Sequence, residues 1–374
     1  MSIIRPIVNE NPIKQEPQLQ EQIQETTPNI SPIKPEDQNK NSNKMKKLFL
    51  GLIVLAIIII IGSVSYEHRG SYKSTSWSTK TNTYKSTNPS SSTKVATSLI
   101  PLSIDPINPT TIPIGDGKLS TSPKVGYVDS CITSFQSTGG AKTEGPWINQ
   151  ANSTWNMDSK IAVEGTVSWP NASFSVTISG DNRIITSNDL PINHTTGTFP
   201  ISKSDPADAY DQNPNTIKPQ SIDWTLPINP TAASTPACTN GGPVGILNDG
   251  VFLFNALDGE GRDAGAHEIL DSYQGHPDMG GVYHHHVVPT YMLGTPSDKS
   301  TSTLIGYAAD GYGIYVERDV DGNLLTNANL DVCHGRTSEV MWNGKLTDIY
   351  HYDATIEYPY TVSCFHGTAI NTTK

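Results

Sequence analysis

Basic residues are scarce in this 374-residue chain: 25 Lys and Arg stand against 36 Asp and Glu, for a net charge of -11. A phosphate-binding surface needs clustered Lys and Arg, so a nucleic-acid partner is excluded. Hydrophobic residues supply only 35% of the chain while 30 Gly and 27 Pro interrupt it, so part of it is expected to be non-globular. No Lys followed by Ser or Thr closes the Gly-rich stretch from Asp258 to Gly265, and its acids would repel phosphate, which excludes a nucleotide loop there. There is no Gly-x-Ser-x-Gly elbow to support serine hydrolase chemistry. The acidic run from Asp319 to Asn323 has Leu324 and Leu330 where a calcium loop needs Gly and Glu, so it reads as a hairpin turn.

Long apolar runs are also lacking, with one exception. Leu48 to Tyr66 holds nineteen residues without a charge. At 1.5 Å rise per residue that nearly spans the ~30 Å bilayer core. Residues 48–66 are therefore expected to form a transmembrane helix with the lipid bilayer as partner. Lys44, Lys46 and Lys47 abut its start, which places the N-terminus in the cytoplasm of a single-pass protein of the plasma membrane or an endomembrane. The preceding stretch is unlike a short signal-peptide n-region, so a retained signal anchor is expected.

Cysteine is sparse too: Cys131, Cys238, Cys333 and Cys364 all follow the apolar run, as expected of two disulfides on an oxidising side. Three pairings of the four are open. Acceptor sequons at Asn152, Asn171, Asn193 and Asn371 lie on that side and mark a glycoprotein.

Composition divides the chain into residues 1–47 as a disordered cytoplasmic tail, 48–66 as the membrane helix, 67–120 as a Ser/Thr-rich stalk, and 121–374 as a single ectodomain. That last part reads as mainly β, sandwich-like or irregular, with long loops. Ile161 to Val163, Phe174 to Ile178, Arg183 to Thr186, Ser221 to Leu226 and Tyr312 to Val316 have strand character. Gly180-Asp181-Asn182 and Asp321-Gly322 have hairpin-turn chemistry. One short helix is expected from Ala266 to Tyr273.

What the chain does have is histidine in one place: seven of its ten lie between His267 and His351. In an extended strand side chains two apart share a face, so His284 and His286 project together, away from Tyr283 and His285. His351 and Asp353 pair by the same rule. If the two segments meet, they offer three imidazoles and a carboxylate, a set suited to zinc or copper(II), with His276 as a further ligand. The alternative is structural, with each imidazole satisfied on a backbone carbonyl. His267, His334 and His366 are expected to be structural or exposed.

The C-terminal third also looks duplicated. Asp249-Gly250, Leu270-Asp271, Gly275-His276 and Tyr283-His284 recur as Asp310-Gly311, Leu330-Asp331, His334-Gly335 and Tyr350-His351. With Asn248 to Val251, Asn255 to Asp258, GHPDMGGVYHHH, LIGYAADGYGIY and YHYDATIEYPYTVSCFHG, residues from about Asn213 to Gly367 resemble the YHYH-domain family. The resemblance names a domain and no reaction. It implies that Arg262-Asp263, His267-Glu268, Gly275-His276, Tyr283-His284 with His286, Asp310-Gly311, Leu330-Asp331 with Cys333, and Tyr350-His351 matter. The chain departs from the family at His285 and Asp353, which replace a second Tyr and a second His. It departs again at Tyr273, where many relatives carry Cys, which implies one fewer disulfide.

Three roles stay open on these grounds. The ectodomain binds a metal through its His cluster, it is a carbohydrate- or protein-binding adhesion module, or it is a metal-dependent hydrolase or oxidase with Glu268, Asp310 or Asp331 as acid or base.

Overall fold

The computed structural model describes residues 106–135, 141, 143–294 and 302–372. The expected tail and membrane helix lie outside the described residues, as does the stalk up to residue 105. Among the described residues no helix is long and apolar enough to cross a membrane.

The described part is mainly β. Five short strands come first: β1 (Ile112–Pro113), β2 (Leu119–Ser120), β3 (Val128–Asp129), β4 (Ile148–Asn149) and β5 (Thr154–Trp155). β1 and β4 flank β5, and β2 pairs with β3. The folded domain therefore begins before residue 121, a correction to the stalk boundary. Ile112 is fully buried and Ile114 nearly so, and two alternating isoleucines are enough to anchor a segment whose average composition is that of a stalk.

A three-stranded meander follows: β6 (Phe174–Ser179), β7 (Asn182–Ser187) and β8 (Ile222–Pro227). Gly180 and Asp181 make the tight β6–β7 turn, with Gly180 at a φ of 59°. Between β7 and β8 the Pro- and Asn-rich stretch forms a 3-10 helix, Pro206–Ala209, capped by Asp205. Ile161 to Val163 is not a strand: Val163 makes a single bridge, to Asp271.

The centre is an eight-stranded sheet built from β10 (Pro243–Leu247), β11 (Phe252–Phe254), β12 (Gly275–Pro277), β13 (Tyr283–His285), β14 (Ser302–Ala308), β15 (Gly313–Glu317), β16 (Gly335–Trp342) and β17 (Lys345–Asp353), in the order β12-β13-β11-β10-β14-β15-β17-β16. β9 (Ala232–Ala237) and β18 (Phe365–Gly367) form a separate pair. β10 and β14 meet antiparallel in the middle, and outward from them each half repeats one pattern. A hairpin (β10–β11, β14–β15) is followed by a parallel pair (β11–β13, β15–β17) and then an antiparallel edge (β12–β13, β16–β17). The suspected duplication is thus present in the strand topology. Gly245 and Gly306 occupy equivalent places at which the register shifts. A Cβ on Gly306 would stand 2.5 Å from the Ile246 carbonyl oxygen, so the halves can approach only at glycine.

Hydrogen bonds repeat with the strands. Tyr283 donates to Asp271 at 2.8 Å and Tyr350 to Asp331 at 3.1 Å. Gly275 N–H and Gly335 N–H bond the same two carboxylates. This register aligns Gly275-His276 with Gly335-Arg336, one residue away from the dipeptide match the sequence suggested.

Two apolar clusters hold the domain. Ile185, Trp224 and Leu226 of the meander pack with Ile246, Phe252, Tyr307 and Ile314 of the large sheet. Ile112, Trp147, Trp155, Ile269, Tyr358 and Tyr360 form the other cluster. The disulfides are Cys131–Cys238 and Cys333–Cys364.

The one short α-helix among the described residues, α1 (Ala264–His267), is earlier and shorter than expected. Asp263 caps it, and Glu268 turns extended with ψ 141°, which ends the helix and sets up the site described next.

Candidate metal centre

β13 does what the alternation requires. His284 and His286 share a face and their Nε2 atoms stand 3.1 Å apart. Antiparallel pairing places His276 of β12 opposite His284, again with 3.1 Å between Nε2 atoms. The other ring nitrogens decide the chemistry. His284 Nδ1 lies 3.0 Å from the Val282 carbonyl oxygen and His286 Nδ1 lies 2.6 Å from that of Asn255. A carbonyl only accepts, so each Nδ1 carries the proton and each Nε2 presents a lone pair. Two such acceptors at 3.1 Å have no proton to share when neutral. Burial, reinforced by the neighbouring imidazoles, holds His284 well below the ordinary histidine range, and burial also lowers His286.

Glu268, just past α1, brings a carboxylate oxygen 2.6 Å from His276 Nε2 and 3.8 Å from His286 Nε2. Burial alone would raise Glu268, but His276, His286 and His284 together outweigh it and lower the carboxyl. Burial likewise opposes the charge on His276, and Glu268 raises it. The contact is short without hydrogen-bond alignment, and Glu268 Oε2 has no hydrogen-bond partner. An ion held at ~2.0–2.1 Å by tetrahedral nitrogen donors sets those donors about 3.3–3.4 Å apart. The observed spacing is close to that.

These four residues line a cavity of about 1020 Å³ together with Tyr210, Asp211, Phe254 and Asp258. Phe254 stacks on His284, with ring centroids 4.0 Å apart. Among the described residues no Lys or Arg lines this cavity.

His351 and Asp353 share a face as expected, but they do not join this centre. β13 and β17 are separated by four strands, which is about 24 Å along the sheet at ~4.8 Å per strand. The single shared centre is therefore corrected to two groups, each with its ligand atoms within 4.8 Å of one another. In the second group His351 Nε2 lies 3.2 Å from Glu317 Oε2 and 3.7 Å from Asp353 Oδ2. Equivalence between the halves is visible side chain by side chain. His351 takes the place of His284, Asp353 that of His286, Arg336 that of His276 and Tyr315 that of Phe254.

A third group, His194, Asp249 and His285, gathers behind β13. Asp249 Oδ2 lies 3.4 Å from His194 Nε2 and 3.3 Å from His285 Nε2. Its counterpart in the other half is the bond from Tyr352 to Asp310, which accounts for His285 standing where the family has Tyr. Tyr273, at the position equivalent to Cys333, stacks on His194 at 4.2 Å.

Sequence reasoning missed Glu317, His194 and Asp249 as members of these groups. Asp249 was visible as half of a repeated Asp-Gly, and Glu317 lies two residues beyond Tyr315 on the same face of β15. Of the remaining histidines, His267 bonds Asp116 at 2.8 Å, His334 bonds Asn327 and Thr355, and His366 stacks on Tyr350 at 3.6 Å. The four sequon asparagines, Asn152, Asn171, Asn193 and Asn371, are exposed.

The family model described as YHYH protein matches residues 223–323, so the chain carries a YHYH domain. The match takes in the His276, His284 and His286 group and ends before the second Tyr-His unit. Neither the curated proteins nor the solved structures gave a match.

Proposed function

We propose that this is a membrane-anchored metalloprotein whose YHYH domain holds a divalent ion on His276, His284 and His286. The reading rests on one observation: His284 and His286 spend their Nδ1 protons on carbonyls and turn bare Nε2 lone pairs toward each other at 3.1 Å. Three imidazoles with an open cavity beside them are the ligand pattern of zinc sites that keep a position for water or substrate, and copper suits the same donors. Glu268 then serves as a fourth ligand or as acid or base beside the ion. This favours a metal-dependent hydrolase or oxidase over an adhesion module that binds carbohydrate or protein without metal.

The remainder of the proposal comes from the sequence: residues 48–66 anchor the chain in the plasma membrane or an endomembrane, the N-terminus is cytoplasmic, and the domain is a glycoprotein on the other side. The exposed sequons and the two disulfides support that sidedness.

Elemental analysis of the full chain in detergent tests the metal. A stoichiometric zinc or copper that is reduced by one equivalent in the His284→Ala, His286→Ala double variant is expected. A wild-type chain that retains no metal after zinc and copper loading ends the reading. Ligand binding that persists through chelation would point to the adhesion module instead.

A further inference from the structure

The second half of the sheet carries an unresolved polar problem of its own. Asp353 is fully buried and neither of its carboxylate oxygens has a hydrogen-bond partner. His351 is also fully buried, and its Nε2 has none either. Its Nδ1 is tied to the Ile349 carbonyl oxygen at 2.9 Å, so Nε2 is the ring nitrogen left to face the two carboxylates. Orphaned buried oxygens of this kind are rare in folded proteins and need a physical account.

Protonating His351 does not supply one. An imidazolium would satisfy Glu317 at 3.2 Å, but Asp353 Oδ2 stands 3.7 Å away and Asp353 Oδ1 remains without a donor. Arg336 and Ser338 both turn to Glu317 instead. A divalent ion answers all three groups at once, because it needs no hydrogen. Donor separations of 3.2 and 3.7 Å are those of ligands spread around an ion at roughly 2.0–2.2 Å.

We infer that Glu317, His351 and Asp353 form a second metal site, independent of the His276 centre and structural in character. Two carboxylates and one imidazole are a harder donor set than three imidazoles, suited to zinc or manganese rather than copper. His351 and Asp353 are sealed from solvent, whereas the His276 centre lines a large cavity, so the two ions should exchange at different rates.

The test uses the full chain in detergent, loaded with zinc and freed of excess. Two equivalents are expected in the wild type, one in Asp353→Asn and one in the His284→Ala, His286→Ala variant. A chelator should remove the wild-type ions in two phases, with the slow phase missing from Asp353→Asn. Metal content unchanged by Asp353→Asn overturns the inference and leaves the His276 centre standing. Metal lost only in Asp353→Asn sustains this site and overturns the other. Glu317→Gln is the second variant should Asp353→Asn fail to fold, with circular dichroism as the check. Zinc-edge anomalous scattering from wild-type crystals decides without any variant: a peak among the three side chains is expected, and its absence refutes the site.

Discussion

Removing His284 should take away the first centre's share of the zinc dependence of the domain's thermal stability. In the metal-free chain the lone pairs of His284 and His286 face each other in a buried cluster, so an ion that binds only the folded state stabilises it by mass action. With free zinc at a hundred times Kd, that linkage is about 2.7 kcal/mol, or a rise in Tm of about 5–11 °C at the ~2–4 °C per kcal/mol of a domain this size. His284 contributes one of three nitrogen donors. Loss of supporting groups alone weakens metal sites ten- to a hundredfold, and a hundredfold weaker Kd leaves about 0.4 kcal/mol of the linkage at the same zinc concentration. His284→Ala also loses the stacking on Phe254, so its metal-free Tm falls too. The informative quantity is therefore the zinc-dependent difference in Tm, read by scanning calorimetry with zinc and with chelator. A zinc-dependent rise in His284→Ala equal to that of the wild type would refute the reasoning, because the linkage cannot survive loss of the donor that carries it.

Three further outcomes follow from buried polar groups elsewhere. Burial lowers His334 to about 3, so above pH 6.5 it is neutral in folded and unfolded chains alike. As pH falls from 6.5 toward 3 only the unfolded state takes up the proton, and at pH 5 this costs about 2 kcal/mol of stability. His334→Asn should remove that slope from urea unfolding midpoints measured between pH 7 and 5. Arg183, only 1% exposed, lies between the Tyr307 and Trp342 rings at 4.2 and 4.4 Å and donates to Asn343. Arg183→Ala should destabilise by about 2–4 kcal/mol through lost packing and an emptied slot, with Arg183→Met recovering much of it in the same denaturation assay. Tyr283→Phe leaves the buried Asp271 and Tyr350→Phe the half-buried Asp331 one donor short, and each should cost about 1–3 kcal/mol, the second toward the low end. Unequal losses beyond that range would argue that the two turns are not equivalent supports.

Local rules carried well from sequence to structure. Period-2 alternation placed His284 with His286 and His351 with Asp353, because side-chain direction in a strand depends only on the strand being extended. The β6–β7 hairpin followed from Gly180-Asp181 for a similar reason: a two-residue turn needs a positive φ and glycine supplies it. Long-range pairing is a different quantity. The expectation that His351 meets His284 required a strand order, and the order is fixed by the β10–β14 contact at Gly245 and Gly306, which no local pattern announces. Ile161 to Val163 fails as a strand for a related reason. Its apolar run is real, but only Val163 finds a backbone partner, through the Leu270 carbonyl. Composition placed the stalk boundary too late because averaging over Ser and Thr hides two buried isoleucines.

The duplicated scaffold explains how one sheet comes to have two such different centres. Both halves present the same backbone: an aromatic ring on the hairpin strand, a Tyr-His pair on the parallel strand, and an edge residue facing the histidine across the antiparallel pair. What differs is the side chain each position carries. In the first half the edge residue is His276 and the position after the pair is His286, so the cluster is nitrogen-rich and its one acid, Glu268, arrives from the end of α1. In the second half those positions hold Arg336 and Asp353, and Glu317 comes from the sheet itself. Arginine is always charged and reaches Glu317 directly at 3.3 Å, beside the fully buried His351 and Asp353. Histidine at the equivalent edge is shorter, and the first centre lines the 1020 Å³ space beside it. On the proposed reading, a reaction on a bound ligand would belong to the first half, and an ion in the second half would act on the stability of the sheet that positions it.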